Sequence, residues 1–145
     1  MTPEQISLVQ DSFKKVAPIA PVAADIFYDR LFEVAPEVRQ LFPDDMSQQK
    51  KLLMSMLGTA VTNLHRAEAI LPAVQDLGRR HVRYGVKDEY YDTVGGALLW
   101  TLEKGLGPDF TPDVKDAWAS AYGLLAGVMK DAANEAKASP AYAKA

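Results

Sequence analysis

The sequence contains no cysteine and only two histidines among its 145 residues. The lack of cysteine excludes disulfide bonds and thiolate metal sites. No apolar run approaches the roughly 20 residues that cross a bilayer, and the amino terminus lacks the basic and apolar segments of a secretory signal. We therefore expect a cytoplasmic protein that has no membrane partner.

An excess of positive charge is also missing. The net charge of −3 gives no general attraction to a phosphate backbone, and Arg79, Arg80 and Arg83 form only a small local cluster, so nucleic acid is not an expected partner. The hydrophobic fraction of 48% is ordinary for a soluble protein, and a chain of this length can bury a substantial core. We expect one domain, residues 1–145.

Apolar residues recur at helical spacing along the chain, and no segment shows the period-two alternation that predicts a strand. Thr2-Pro3-Glu4-Gln5 predicts a capped helix start. Further helices are predicted from near 21 to 35, over 36–41, 47–65, 71–85 and 89–104, and from 112 to about 135. Seven or eight unequal helices joined by tight corners predict an all-α fold with crossed packing rather than a matched four-helix bundle.

One histidine is well placed to face the interior. His81 follows Ile70, Val74 and Leu77 at helical spacing, so these residues share one face of a helix. An inward-facing neutral imidazole is either a satisfied core histidine or a metal ligand. The pattern alone leaves both interpretations open.

The run LGRRHVRYGV at residues 77–86, followed by YDTVG at residues 91–95, resembles the proximal-histidine region of the globin superfamily. Within it, the sequence is most similar to bacterial single-domain haemoglobins, to the globin module of flavohaemoglobins and to neuroglobin. Phe42 and Pro36 also stand where the family has distinctive residues, and the resemblance covers residues 3 to about 134. It implies a globin fold, with seven to eight helices in three-over-three crossed packing around a haem pocket.

The resemblance implies haem b, iron protoporphyrin IX, with His81 as the axial ligand of the iron. Because the chain has no cysteine, the haem would be held non-covalently. The other ring nitrogen of His81 is expected to donate to a backbone carbonyl near Leu77, which fixes the tautomer. Tyr91 matches a tyrosine near the proximal ligand in the flavohaemoglobin-like group, and its alternative role is packing at a helix end.

The resemblance places Tyr28 and Gln49 on the distal side of the haem, with Leu53 one turn beyond Gln49. Both polar side chains are expected to donate hydrogen bonds to bound dioxygen, which would slow its release. The alternatives are a core tyrosine satisfied by backbone and a solvated glutamine. Gln49, Tyr28 or Lys50 could also bind ferric iron.

The second histidine, His65, lies 65 − 49 = 16 residues after Gln49, or about 24 Å along a helix. It is therefore out of reach as an internal ligand, and we expect it at the surface. The resemblance places nine further residues at the haem: Phe42, Met56, Leu57, Leu77, Arg80, Val86, Tyr91, Val94 and Leu98. The alternative for the apolar and aromatic residues is an ordinary place in the core, and the alternative for Arg80 is a solvated surface position.

The resemblance implies reversible binding of dioxygen at ferrous iron, for oxygen transport or storage, with carbon monoxide and nitric oxide as further ligands. A nitric oxide dioxygenase or peroxidase-like activity that uses a separate reductase is one alternative, and a globin-fold sensor or interaction module is another. The flavohaemoglobin pattern is incomplete: we expect no attached flavin domain, since the sequence ends at Ala145, and Ala133 occupies the position of a proximal glutamate, two residues before Glu135. We expect a monomer or a weak homodimer.

Overall fold

The computed structural model describes residues 1–83 and 88–137, so the predicted haem contact Val86 lies outside the described residues. Helices make up nearly all of the described chain and no strand occurs in it, which confirms the all-α prediction. Four short 3-10 helices cover Ala17–Ile19, Pro36–Leu41, Leu64–Ala69 and Gly107–Asp109. The six α-helices are α1 (Pro3–Val16), α2 (Ala20–Val34), α3 (Ser47–Thr62), α4 (Leu71–Arg83), α5 (Asp88–Leu106) and α6 (Pro112–Lys137).

The helix starts follow the sequence signals. The Thr2 hydroxyl accepts from the Gln5 amide at 3.1 Å, and the Gln5 side chain accepts from the Thr2 amide at 3.0 Å. This reciprocal pair is the predicted capping box. At the start of α6, the Thr111 hydroxyl accepts from the Val114 amide at 3.3 Å.

Two predicted helix ends are wrong. The helix predicted over 47–65 ends at Thr62, because the Asn63 side chain donates to the Thr59 carbonyl at 2.8 Å and competes with the helical pattern. The helix predicted to end near residue 104 continues to Leu106. Gly107 follows with φ of +56°, the left-handed conformation with which helices commonly end.

Helix α6 packs along α4 and α1, and α5 packs along α2. A Cβ at Gly78 would collide with the backbone of Met129, so this glycine allows α4 to lie directly against α6. The buried Trp118 indole donates to the Ser12 hydroxyl at 2.8 Å and joins α6 to α1. No helix in the described part of the chain is long and apolar enough to cross a membrane.

Helices α2 and α3 differ in how deeply they are buried. Five residues of α2 are buried, whereas Val61 is the one buried residue of α3. An amphipathic helix in a globular protein normally buries a full apolar stripe. The apolar side chains in the first three turns of α3 are therefore covered only in part by the described protein.

Candidate functional site

An aromatic corner lies between α2 and α3. The Tyr28 ring packs edge-on against Phe42 at 5.6 Å between centroids, and Phe42 packs edge-on against Phe32 at the same distance. The Arg39 guanidinium donates to the carbonyl oxygens of residues 42, 43 and 44 at 3.3, 2.9 and 3.1 Å. Arg39 thus holds the corner that carries Phe42. The sequence did not predict this role, because a single arginine belongs to no motif or periodic pattern.

Tyr28 and Gln49 contact each other across two helices and form what we call the tyrosine–glutamine pair. The Gln49 amide nitrogen donates to the Tyr28 hydroxyl oxygen at 3.1 Å. Burial raises the pKa of Tyr28, and the bond from Gln49 opposes that rise only in part. The phenol therefore stays protonated at neutral pH. Because its oxygen accepts from Gln49, its own proton remains a donor to a ligand.

The tyrosine–glutamine pair lies beside an apolar face of α3. At about 100° per residue, Gln49, Leu53 and Met56 fall within about 60° of one another around the helix. Leu53 and Leu57 are half-buried, and Met56 is 41% exposed. The protein thus leaves an apolar strip of α3 incompletely covered next to a buried phenol.

His81 is fixed by a bond within its own helix. Its Nδ1 lies 2.6 Å from the Leu77 carbonyl oxygen, which is the hydrogen bond predicted from the sequence. A carbonyl can only accept, so the ring proton is on Nδ1 and the lone pair is on Nε2. Burial lowers the pKa of His81 and the Arg80 charge lowers it further, although the Leu77 bond raises it. The result is a neutral imidazole whose Nε2 can bind a metal.

Tyr91 lies beside His81, and Tyr122 holds the Tyr91 backbone. The Tyr91 ring lies 6.2 Å from the imidazole between centroids, and Leu77, His81 and Tyr91 form what we call the histidine group. The Tyr122 hydroxyl of α6 donates to the Tyr91 backbone carbonyl at 2.5 Å. Burial raises the pKa of Tyr122, which keeps this donor protonated. Sequence reasoning missed Tyr122 because the contact joins residues that lie 31 apart in the chain.

The remaining predicted residues are dispersed around these groups. On α5, Val94 is half-buried and Leu98 belongs to the same hydrophobic core as Tyr28. Arg80 forms an ion pair with Asp76 of its own helix at 3.2 Å. Four other positions considered from the sequence belong to neither group: Lys50 pairs with Asp25, His65 and Glu135 are exposed, and Ala133 is buried.

The donor set fits a haem better than a bare ion. Among residues 1–83 and 88–137, no group of three or more ligating side chains could hold a metal ion. One neutral imidazole suits a metal that brings its other equatorial ligands with it, as haem iron does. The partly covered apolar strip of α3 suits a flat hydrophobic macrocycle.

Comparison with known proteins identifies the family. The model of the family described as Globin matches residues 25–129, a span that contains the tyrosine–glutamine pair and the histidine group. The chain belongs to the globin family. A flavohemoprotein of Bacillus subtilis (strain 168) is 36% identical to this globin in an alignment of 119 residues that covers 77% of the chain and 30% of the relative. The globin thus spans about a third of the length of that relative.

Solved structures agree with this family. A bacterial globin from Campylobacter jejuni is 28% identical, with a TM-score of 0.82 over 95% of this chain and 100% of that one. An engineered carbene transferase, derived from a putative nitric oxide dioxygenase of Rhodothermus marinus, is 26% identical. Its TM-score is 0.86 over 95% of this chain and 96% of that one. The predicted globin fold is confirmed, and family membership indicates a haem-binding protein.

Proposed function

We propose that this globin holds haem b without a covalent bond and binds dioxygen reversibly. When bound, haem supplies a ferrous iron that accepts a diatomic ligand. His81 would hold the haem through its iron, and Tyr28 and Gln49 would stabilise a ligand bound there. The observation that carries the proposal is the bond from Gln49 to the buried Tyr28, which occupies the phenol oxygen as an acceptor and leaves its proton for donation to a ligand.

His81 has two tasks in this proposal. Its bond to the Leu77 carbonyl fixes the tautomer and places the lone pair on Nε2, so binding of iron by that nitrogen needs no proton transfer. The Tyr91 ring lies beside the imidazole, with 6.2 Å between the ring centroids. Because the partner of Nδ1 is a neutral carbonyl, His81 keeps the donor strength of a neutral imidazole.

Tyr28 and Gln49 act in series. Gln49 donates to the phenol oxygen, and Tyr28 in turn donates its proton to the ligand. A donor of this kind stabilises a ligand that takes on negative charge, such as dioxygen, far more than carbon monoxide. Donation through a chain also strengthens each bond. We expect dioxygen to leave slowly for this reason.

Similarity to named relatives favours a second candidate function. The flavohemoprotein relative and the putative nitric oxide dioxygenase both match this globin. On this alternative, nitric oxide, dioxygen and one electron give nitrate, and a separate reductase supplies the electron. The buried Ala133 offers no carboxylate to strengthen the imidazole, and the exposed Glu135 points to a different side of α6. We therefore place reversible binding first.

The chain forms one domain in this proposal. Residues of α1, α2, α3, α5 and α6 share one hydrophobic core, which supports a single globin domain over residues 1–145. We propose that the domain acts as a monomer or a weak homodimer, with carbon monoxide and nitric oxide as further ligands.

Oxygenation of the reduced, haem-loaded protein tests these alternatives. Reversible binding predicts that the oxygenated spectrum forms in air and disappears under argon over repeated cycles. The dioxygenase predicts nitric oxide consumption well above that of free haem when a generic flavin reductase is added. A chain that takes up no haem would support the interaction module and contradict both.

A further inference from the structure

A second contact between α2 and α3 lies next to the tyrosine–glutamine pair. The Lys50 ammonium forms an ion pair with the Asp25 carboxylate at 2.8 Å. Asp25 lies three residues, or about one turn, before Tyr28 on α2, and Lys50 directly follows Gln49 on α3. The ion pair and the Gln49–Tyr28 bond therefore join the same turns of the same two helices.

The start of α3 has few other attachments. Its N-cap residue, Met46, makes no side-chain capping bond, and the Ser47 amide donates to the nearby Asp45 carboxylate at 3.0 Å. No residue of the described α3 is buried before Val61. Half-buried aliphatic side chains and the two cross-helix contacts thus hold the segment that carries Gln49.

We propose that Asp25 and Lys50 form a latch that positions Gln49 against Tyr28 and so sets how fast a ligand leaves the distal side. With the latch closed, the Gln49 amide stays 3.1 Å from the phenol oxygen, and the phenol donates its proton to the ligand rather than to Gln49. With the latch open, the first turns of α3 separate from α2, and the phenol loses the donor that orients it. Asp25 and Lys50 are positioning residues, and neither has to touch the ligand.

The ion pair of the latch is a weak contact because both of its side chains are partly exposed. The Lys50 side chain is 32% exposed and that of Asp25 is 58% exposed. Solvent and salt therefore screen the pair, so its rupture should change rates by roughly two- to fivefold.

The experiment compares dioxygen and carbon monoxide dissociation from the haem-loaded protein in Lys50→Met, Asp25→Asn and the double variant. We expect each single variant to raise the dioxygen dissociation rate by roughly two- to fivefold. The double variant should match the single variants, because all three remove the same contact. Carbon monoxide dissociation should change little. The matched control is Lys15→Met, which breaks the 3.2 Å pair with Asp109 far from Gln49 and should change neither rate.

Two further readouts separate a latch from general loosening. Added salt should raise the dioxygen dissociation rate of the unmodified protein toward that of Lys50→Met and leave the variant unaffected. Amide hydrogen exchange in the carbon monoxide form should increase at residues 50–53 and stay constant in α6. If Lys50→Met does not retain haem, the charge exchange Asp25→Lys with Lys50→Asp replaces it and should restore slow dissociation.

The latch depends on the proposed distal role of Tyr28, and the two can fail separately. An unchanged dioxygen dissociation rate in Tyr28→Phe would overturn the proposed function. A clear effect of Tyr28→Phe together with no effect of Asp25→Asn would overturn the latch alone. An effect of Lys50→Met without one of Asp25→Asn would also overturn it, because Lys50 would then act on something other than Asp25.

Discussion

The tyrosine–glutamine pair and the histidine group are held in different ways. Gln49 reaches Tyr28 across two helices and over 21 residues of sequence. His81 is oriented by a carbonyl four residues earlier in its own helix. The bond from His81 to Leu77 therefore persists as long as α4 is helical, whereas the tyrosine–glutamine pair exists only while α2 and α3 stay together. If His81 and Tyr28 face the two sides of a haem as proposed, the proximal side is locally fixed and the distal side is adjustable.

Substitution of His81 should have the largest effect. His81→Ala removes the proposed iron ligand, and even the loss of a ligand's hydrogen-bond partner costs about 10- to 100-fold in metal affinity. We expect at least that loss of haem affinity, measured as haem per protein after gel filtration. The exposed His65 supplies the control, since His65→Ala should retain haem fully. Equal retention in both variants would remove the basis of the proximal assignment.

Tyr28→Phe should have the next largest effect. Loss of the phenol donor should raise the dioxygen dissociation rate about tenfold, the effect of one hydrogen bond to a charged acceptor. Stopped-flow replacement of dioxygen by carbon monoxide measures this rate. Carbon monoxide dissociation in the same variant serves as the internal control and should change by less than about twofold.

Gln49→Leu tests whether the pair acts in series. Because Gln49 donates to Tyr28, its removal should raise the dioxygen dissociation rate only about threefold. The double variant Tyr28→Phe with Gln49→Leu should behave like Tyr28→Phe alone. If the two effects multiply instead, Gln49 donates to the ligand directly, as the sequence had suggested.

Tyr122→Phe should have the smallest effect on ligands. The variant loses the bond to the Tyr91 carbonyl, which should lower the free energy of unfolding by about 1 kcal/mol. Because the Leu77 bond of His81 remains, dioxygen dissociation should stay within about twofold of the unmodified protein. Urea unfolding and stopped flow on the same sample measure both quantities. A tenfold change in dissociation would show that the proximal side is not locally fixed.

The same contrast explains what the sequence could predict. The capping box of Thr2 and Gln5 and the bond from His81 to Leu77 span three or four residues, so helical spacing alone predicts them. The contacts of Arg39, Tyr122 and Asp25 depend on how segments pack. The spacing of residues predicts which side chains share one face of a helix, but it does not predict which residues of other segments that face contacts.

The role of Gln49 shows the limit most clearly. Helical spacing predicts that Gln49 lies on the same face of its helix as Leu53. In the structure both side chains are half-buried on the partly covered side of α3. The sequence suggested that Gln49 and Tyr28 each donate to a ligand independently. The structure adds a contact between the two side chains at 3.1 Å, since the crossing of α2 and α3 brings the amide to the phenol oxygen.

The visible absorption spectrum of the reduced, haem-loaded protein tests the central claim most directly. With His81 as the axial ligand and Tyr28 bonded to Gln49 on the other side, we predict a five-coordinate ferrous spectrum that shifts when carbon monoxide is added. A six-coordinate ferrous spectrum would mean that a side chain of the protein occupies the ligand position. The absence of any haem band after reconstitution would contradict the account altogether.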